Sequence, residues 1–276
     1  MFSDSNLQKL LGKNFKYFYL LKFRFKSATV YKSDTFLWFC GSLMELLGLV
    51  FVWYLNNQTG SQINFPQIFT YLIIGRIIDS FTNVEHVFWF GNQLAQNRGD
   101  TVRILMFPGG TNGVFLYLMA KHLGSNLFYS IVNIFWLSIL CLVFHSWIIL
   151  PTNFGNLLWL PIFMLVTFFI KFFLNFCIGM IALWTTESGG VWNLFNGINR
   201  ILSGSMFPLN LYFLTNFALY LPFAYTYFYP INLYFQKNQN QIFLIFLGGL
   251  CWTVLLYFFA KLVFKMGLKR NESVGL

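Results

Sequence analysis

The chain has 276 residues, 57% of them hydrophobic and 9% charged, with a formal net charge of +10 and a mean hydropathy of +0.62. A soluble domain carries about 25% charged residues, so this composition cannot build a water-facing surface. It excludes an ordinary soluble enzyme, a disordered chain and a secreted disulfide module, and leaves an all-α polytopic membrane protein whose spans can be counted.

Residues 1–34 hold seven basic side chains: Lys9, Lys13, Lys16, Lys22, Arg24, Lys26 and Lys32. Leu7, Leu11, Phe15 and Phe18 share one helical face, with Lys9, Lys13 and Lys16 opposite. That pattern predicts an amphipathic helix lying at the membrane surface. Lys22 and Lys26 fall nearer the apolar face, so the helix either breaks there or those side chains snorkel. The stretch does not read as a signal peptide, because no uninterrupted apolar region precedes a small-residue cleavage site.

Six segments then suit a bilayer, which needs about 20 apolar residues per helix. They are 35–55, 66–90 (polar for a span), 127–149, 157–184, 191–207 (short, rich in Gly, Asn and Ser) and 242–264. Lys and Arg set the orientation. They concentrate in 1–34, in 91–124 (Arg98, Arg103, Lys121) and in 261–276 (Lys261, Lys265, Lys269, Arg270). Loops 56–65 and 150–156 have none, and 208–241 has only Lys237. Both termini are therefore expected in the cytoplasm, and the basic charge reads as membrane topology rather than as a nucleic-acid surface. Residues 91–126 form a cytoplasmic stretch long enough for its own helices. Residues 208–241 lie outside, apolar but broken by Pro208, Pro222 and Pro230. Such a segment can dip in and return if protein or water shields its backbone.

Phe contributes 37 residues and reads as general apolar filler. Cys40, Cys141, Cys177 and Cys251 each sit alone in apolar runs, as small buried residues. Pro108-Gly109-Gly110-Thr111-Asn112-Gly113 lacks the Lys of a phosphate-binding loop, so the chain is not expected to hydrolyse ATP, and the cluster reads as a break between cytoplasmic helices. His86, His122 and His145 have no metal-ligand spacing.

Ionisable groups inside spans each cost about 2.5–3.5 kcal/mol on insertion scales, and so need a partner or a water path. Glu45 and Lys171 lie at similar depth, which permits an inter-helix pair. Arg76 and Asp79, at i and i+3, can pair on one helix face. Arg200 is the fifth such group. A satisfied bundle interior is one reading of these positions; the other is a conduit in which Arg76 or Arg200 faces an anionic substrate group.

Gly190-Val-Trp-Asn-Leu-Phe-Asn196 runs into Arg200-Ile-Leu-Ser-Gly-Ser-Met-Phe-Pro208, followed by Leu221-Pro-Phe-Ala-Tyr-Thr-Tyr-Phe-Tyr-Pro-Ile-Asn-Leu-Tyr234. This resembles the permease subunit of bacterial type-2 ABC transporters, in the subgroup whose genes often encode two permeases beside one ATPase. Arg98-Gly-Asp-Thr-Val-Arg-Ile-Leu-Met-Phe-Pro108 is similar to the family's Gly-Asp-Leu followed by Leu-x-Arg-Pro, with Thr101 in place of the Leu and Phe107 in place of the Arg. The resemblance implies an exporter in the cytoplasmic (inner) membrane. Two permeases, identical or homologous, would sit in membrane lipid over two ATPase subunits that carry ATP and Mg²⁺; this chain would hold no cofactor and no metal. It also implies a coupling helix near 96–105, with Gln96, Asn97, Arg98, Gly99, Asp100, Thr101 and Arg103 at the ATPase. The broken outer segment would be a gate, with Phe207, Pro208, Tyr225, Tyr227 and Pro230 as candidates. Its tyrosines suit an amphipathic or lipid-linked substrate, and equally a membrane belt. The competing readings are a stand-alone secondary transporter or channel, which calls for a repeat and mid-membrane acids, and a lipid-modifying membrane enzyme, which calls for a catalytic cluster.

Overall fold

The structure, a computed structural model, describes residues 15–30, 32–58, 64–96, 104–151, 153–206, 208–209, 215–236 and 239–272. Every regular element among them is helical: α1 (Phe15–Val30), α2 (Lys32–Gln58), α3 (Phe65–Thr82), α4 (Phe88–Ala95), α5 (Gly110–Val143), α6 (Leu160–Met180), α7 (Ala182–Thr185), α8 (Gly189–Leu202), α9 (Thr215–Ala218), α10 (Phe228–Asn232) and α11 (Gln239–Glu272). Short 3₁₀ segments join several of them. Among the described residues, four stretches are long and apolar enough to cross a membrane: Thr35–Gln58, Gly110–Val143, Phe154–Thr185 and Gln241–Arg270. At 18 residues with Arg76 and Asp79 inside it, and at 14 residues, α3 and α8 fall outside that group.

The largest departure from the expected spans is in the second one. A continuous helix over 66–90 does not form. The chain leaves helical geometry at Asn83 (ψ 123°) and Val84 (φ −141°), turns once through Glu85–Val87 and restarts as α4. A backbone break inside a membrane protein needs internal partners. Asn126 of α5 supplies them, its amide donating to the Phe81 carbonyl at 2.9 Å and the Asn83 carbonyl at 2.6 Å.

The third span differs in the opposite sense. Instead of separate cytoplasmic helices and a span beginning near 127, one 34-residue helix starts at Gly110. Gly109 (φ +112°) and Gly110 (φ +57°) turn the chain into it, in a region glycine enters without steric cost. At about 1.5 Å per residue α5 is about 51 Å long, some 20 Å more than a hydrocarbon core of about 30 Å. Along it pack α1 and the start of α2, through Phe25–Phe128, Trp38–Tyr129 and Phe39–Trp136. The amphipathic helix is thus docked on α5 rather than lying alone. It runs unbroken past Lys22 and Lys26, and both side chains are exposed. Residues 1–14, with Leu7, Lys9, Leu11 and Lys13, lie outside the described residues.

The core centres on α6. Phe168, Phe172 and Phe176 are fully buried, and Phe115 of α5 and Phe264 of α11 close on them edge-to-face. T-shaped rings fill such a core at favourable quadrupole geometry. On another side α4 crosses α6 at a bare backbone contact: a Cβ on Gly91 would overlap the Gly179 carbonyl, and one on Gly179 would overlap the Phe88 backbone. Neither backbone can yield locally. Gly179→Ala is expected to destabilise the folded chain by about 1–3 kcal/mol, read as a lower thermal unfolding midpoint in detergent. Gly41→Ala, where nothing lies within 4 Å, should leave the midpoint unchanged.

Candidate functional site

Glu45, Arg76, Asp79, Lys171 and Arg200, together with Glu85 of the turn after α3, line one cavity of about 640 Å³. Its walls follow from helical periodicity. From α2 come Gly41, Ser42, Glu45, Gly48, Leu49 and Val52, a single stripe with one carboxylate. The α3 wall presents Arg76, Asp79 and Asn83; α6 presents Lys171 and Asn175; α8 presents Phe195, Asn196, Asn199 and Arg200. Tyr227 and Thr226 of the Pro-broken outer segment close the remaining side.

The pairing inside the cavity corrects the sequence expectation. Glu45 does not pair with Lys171, and Arg76 does not form its ion pair with Asp79. Instead Glu45 bridges two cations, Arg76 at 2.8 Å and Arg200 at 3.1 Å. Lys171 donates to Asp79 Oδ1 at 2.6 Å and to Thr82 Oγ1 at 3.1 Å. The reason is steric order: α3 packs against both α2 and α6, so its charges intercept those of its neighbours. The two pairs differ in environment. Lys171 and Asp79 are 12% and 31% exposed, whereas Glu45 and Arg200 are 40% and 41% exposed. A withdrawn pair resists water more than an open one, so Lys171–Asp79 serves as the fixed pair and Glu45–Arg200 as the accessible one.

Helix α8 owes its placement to its ends. At its start, the Ser188 N–H and hydroxyl donate to Asn92 Oδ1 at 2.9 and 2.8 Å, Trp192 Nε1 donates to Asn175 Oδ1 at 3.1 Å, and Trp192 stacks on Phe88. Beyond its end, Phe228 N–H donates to the Ser203 carbonyl, Tyr71 hydroxyl to the Gly204 carbonyl at 2.8 Å, and Trp53 Nε1 to the Met206 carbonyl. None of its residues is buried. One face lines the cavity; the other shows Val191, Leu194, Ile198 and Ile201 to the exterior.

The outer-gate candidates divide. Tyr227 lines the cavity and is 6% exposed, its hydroxyl over the bare backbone of Gly75. Tyr225 is buried against α6 and α11, with its carbonyl accepting from Thr167 Oγ1 at 2.8 Å. Pro230 is buried within α10, and Pro208 is half-buried. Phe207 lies outside the described residues. Among the described tyrosines of the outer segment, Tyr220 alone has the exposure of a membrane belt, at 81%. Gln96 ends α4, its N–H bonded to the Asn92 carbonyl; Asn97, Arg98, Gly99, Asp100, Thr101 and Arg103 lie outside the described residues. Sequence reasoning did not single out Asn175, Asn196 and Asn199 as part of the site, although the Asn-x-x-Asn-Arg spacing on a short amphipathic helix marks a polar face.

The pairing can be read from double-mutant coupling. Asp79→Asn and Lys171→Met are expected to couple by about 0.5–3 kcal/mol in detergent unfolding, and Glu45→Gln with Lys171→Met to couple less. The reverse order would contradict this geometry.

A comparison with protein families matches residues 39–275 to the family described as ABC-2 family transporter protein. No curated protein matches the chain. The matched stretch contains every cavity-lining residue except Trp38. Members are membrane components of transporters rather than catalysts by themselves, and membership implies an ATPase partner. This chain belongs to the ABC-2 transporter family, as a multi-pass membrane permease with at least four helices able to span a bilayer.

Proposed function

We propose that this permease is half of the membrane portion of an ATP-driven exporter in the bacterial cytoplasmic membrane. It would pair with a second permease, identical or encoded beside it, over two ATPase subunits that carry ATP and Mg²⁺. The observation that carries this reading is the convergence of Glu45, Arg76, Asp79, Lys171 and Arg200 on a single cavity. With Glu85 on the same wall, three cations face three carboxylates, a balanced polar lining suited to an amphipathic cargo group. Helices α2 and α8 line the cavity and carry exposed apolar residues outside it, the faces a second permease would cover.

In this scheme α3 and α8 complete six crossings, with both termini in the cytoplasm. The ATPase grips a coupling helix near 96–105. A push there enters α4, which is locked to α6 at Gly91 and Gly179 but separated from α3 by the break at Asn83. The α4–α6 unit would then shift against α3, and the Lys171–Asp79 pair spans that joint.

Two experiments test the scheme. The chain should co-purify with the neighbouring ATPase, and Arg98→Glu with Asp100→Lys should abolish co-purification and any stimulation of ATP hydrolysis. Transport by the reconstituted permease alone would instead favour a secondary transporter. Arg200→Gln should lower transport while leaving ATPase binding intact, because Arg200 stands in the cavity and not in the 96–105 stretch.

A further inference from the structure

A second cavity, of about 430 Å³, opens between α1, the α3–α4 break and α5. Its wall brings together Arg24, His86, Lys121 and His122. Among the described residues no Asp or Glu lines it. Arg24 Nε is buried there without a hydrogen-bond partner, although an unmet donor of a charged group is costly to bury. Two fixed cations, an unmet guanidinium donor and no lining carboxylate describe a site for an anion. Trp38, Trp89 and Tyr129 stand on the same wall, residue types that settle at the membrane–water boundary.

Depth agrees. Lys121 and His122 lie 11 and 12 residues into α5, counted from its start at Gly110, or about 17–18 Å along the helix. That is close to the roughly 20 Å by which α5 exceeds a hydrocarbon core, so these residues fall at head-group level. Beside the cavity, α1 exposes Tyr19 and Phe23, at 59% and 56%, a surface along which acyl chains can lie. The volume exceeds a bare phosphate and lies in the range of ligand pockets, about 300–1,000 Å³.

We propose that this cavity binds the phosphate of an anionic lipid head group. Arg24 offers a planar fork of donors to the phosphate oxygens and Lys121 a point charge. Which leaflet supplies the lipid rests on the orientation proposed above; the binding itself does not. The shared chemistry is the phosphate group, and free phosphate is the other source of it.

The test uses the full-length protein in detergent and equilibrium binding of a fluorescent phosphatidylglycerol. Competitors are vesicles of phosphatidylglycerol in phosphatidylcholine, vesicles of phosphatidylcholine alone, and inorganic phosphate. Saturable binding, displaced by the first and not by the second, is the expected result. Arg24→Gln and Lys121→Gln should each weaken it about five-fold, at roughly 1 kcal/mol per cation near a lipid surface. Arg24→Lys, which keeps the charge but not the forked donors, should recover only part of the loss, and Lys265→Gln, an exposed cation on α11, should change nothing. If inorganic phosphate binds directly, with the same dependence on Arg24 and Lys121 and no advantage for the lipid, the phosphate site stands and its source is soluble. Wild-type binding by both glutamine variants, or equal weakening by Lys265→Gln, overturns the proposal. Should a glutamine variant fail to fold, Ser27→Glu, which puts a carboxylate on the same wall, must abolish binding for the proposal to survive.

Discussion

The Lys171 ammonium is held by Asp79 and Thr82 at the point where α3 stops being a helix. Within a bilayer both features require internal partners: the cation because its desolvation is uncompensated, the break because its carbonyls cannot turn to water. One neighbour answers each need. Helix α6 brings the cation to Asp79, and α5 brings the Asn126 amide to the Phe81 and Asn83 carbonyls. The contacts of α3 with α5 and α6 are therefore specified by polar groups as well as by apolar fit. Once α3 is placed, its outward charge, Arg76, lies within reach of Glu45 on α2, and Glu45 in turn reaches Arg200 on α8.

That chain of partners separates a rigid part of the molecule from an open one. The α6 side is dense with buried Phe and offers few ways to deform. The α8 side has no buried residue and is tied mainly through its ends. A helix pinned at both ends, with its middle against a cavity, can change its lining without disturbing the core. The Glu45–Arg200 pair sits on this open side and Lys171–Asp79 nearer the dense one. Exposure to water, more than distance, distinguishes their roles.

Much of this was legible in the chain itself. Low charge and long apolar runs specify an all-helical membrane protein, and the five span charges that the sequence singles out do meet, with Glu85 beside them. Their partners were not legible, because equal depth along two helices does not make them neighbours when a third stands between. Nor was the break at Asn83: neither Pro nor Gly marks it, and the group that stabilises it comes from Asn126, 43 positions away. Gly109 and Gly110 did mark a boundary, yet Lys121 and His122 disguised the continuity of α5 by looking like the end of a loop. The basic cavity draws on Arg24, His86 and the Lys121–His122 pair, three stretches with no pattern linking them until α1 docks on α5.

The two cavities share a wall. Trp38, Ser80 and Asn83 border both, and Ser80 and Asn83 flank the α3 break. A displacement of the segment around Asn83 therefore alters the two volumes together, with Asp79–Lys171 on one side and Arg24–Lys121 on the other. Opposite sides of one thin partition carry different electrostatics: mixed and mostly paired charges in the larger space, cations without a lining carboxylate in the smaller. An anion drawn to the smaller space stands one side chain from the charged interior of the bundle. The break in α3 is what makes that partition thin, since an unbroken helix would present a continuous backbone cylinder there.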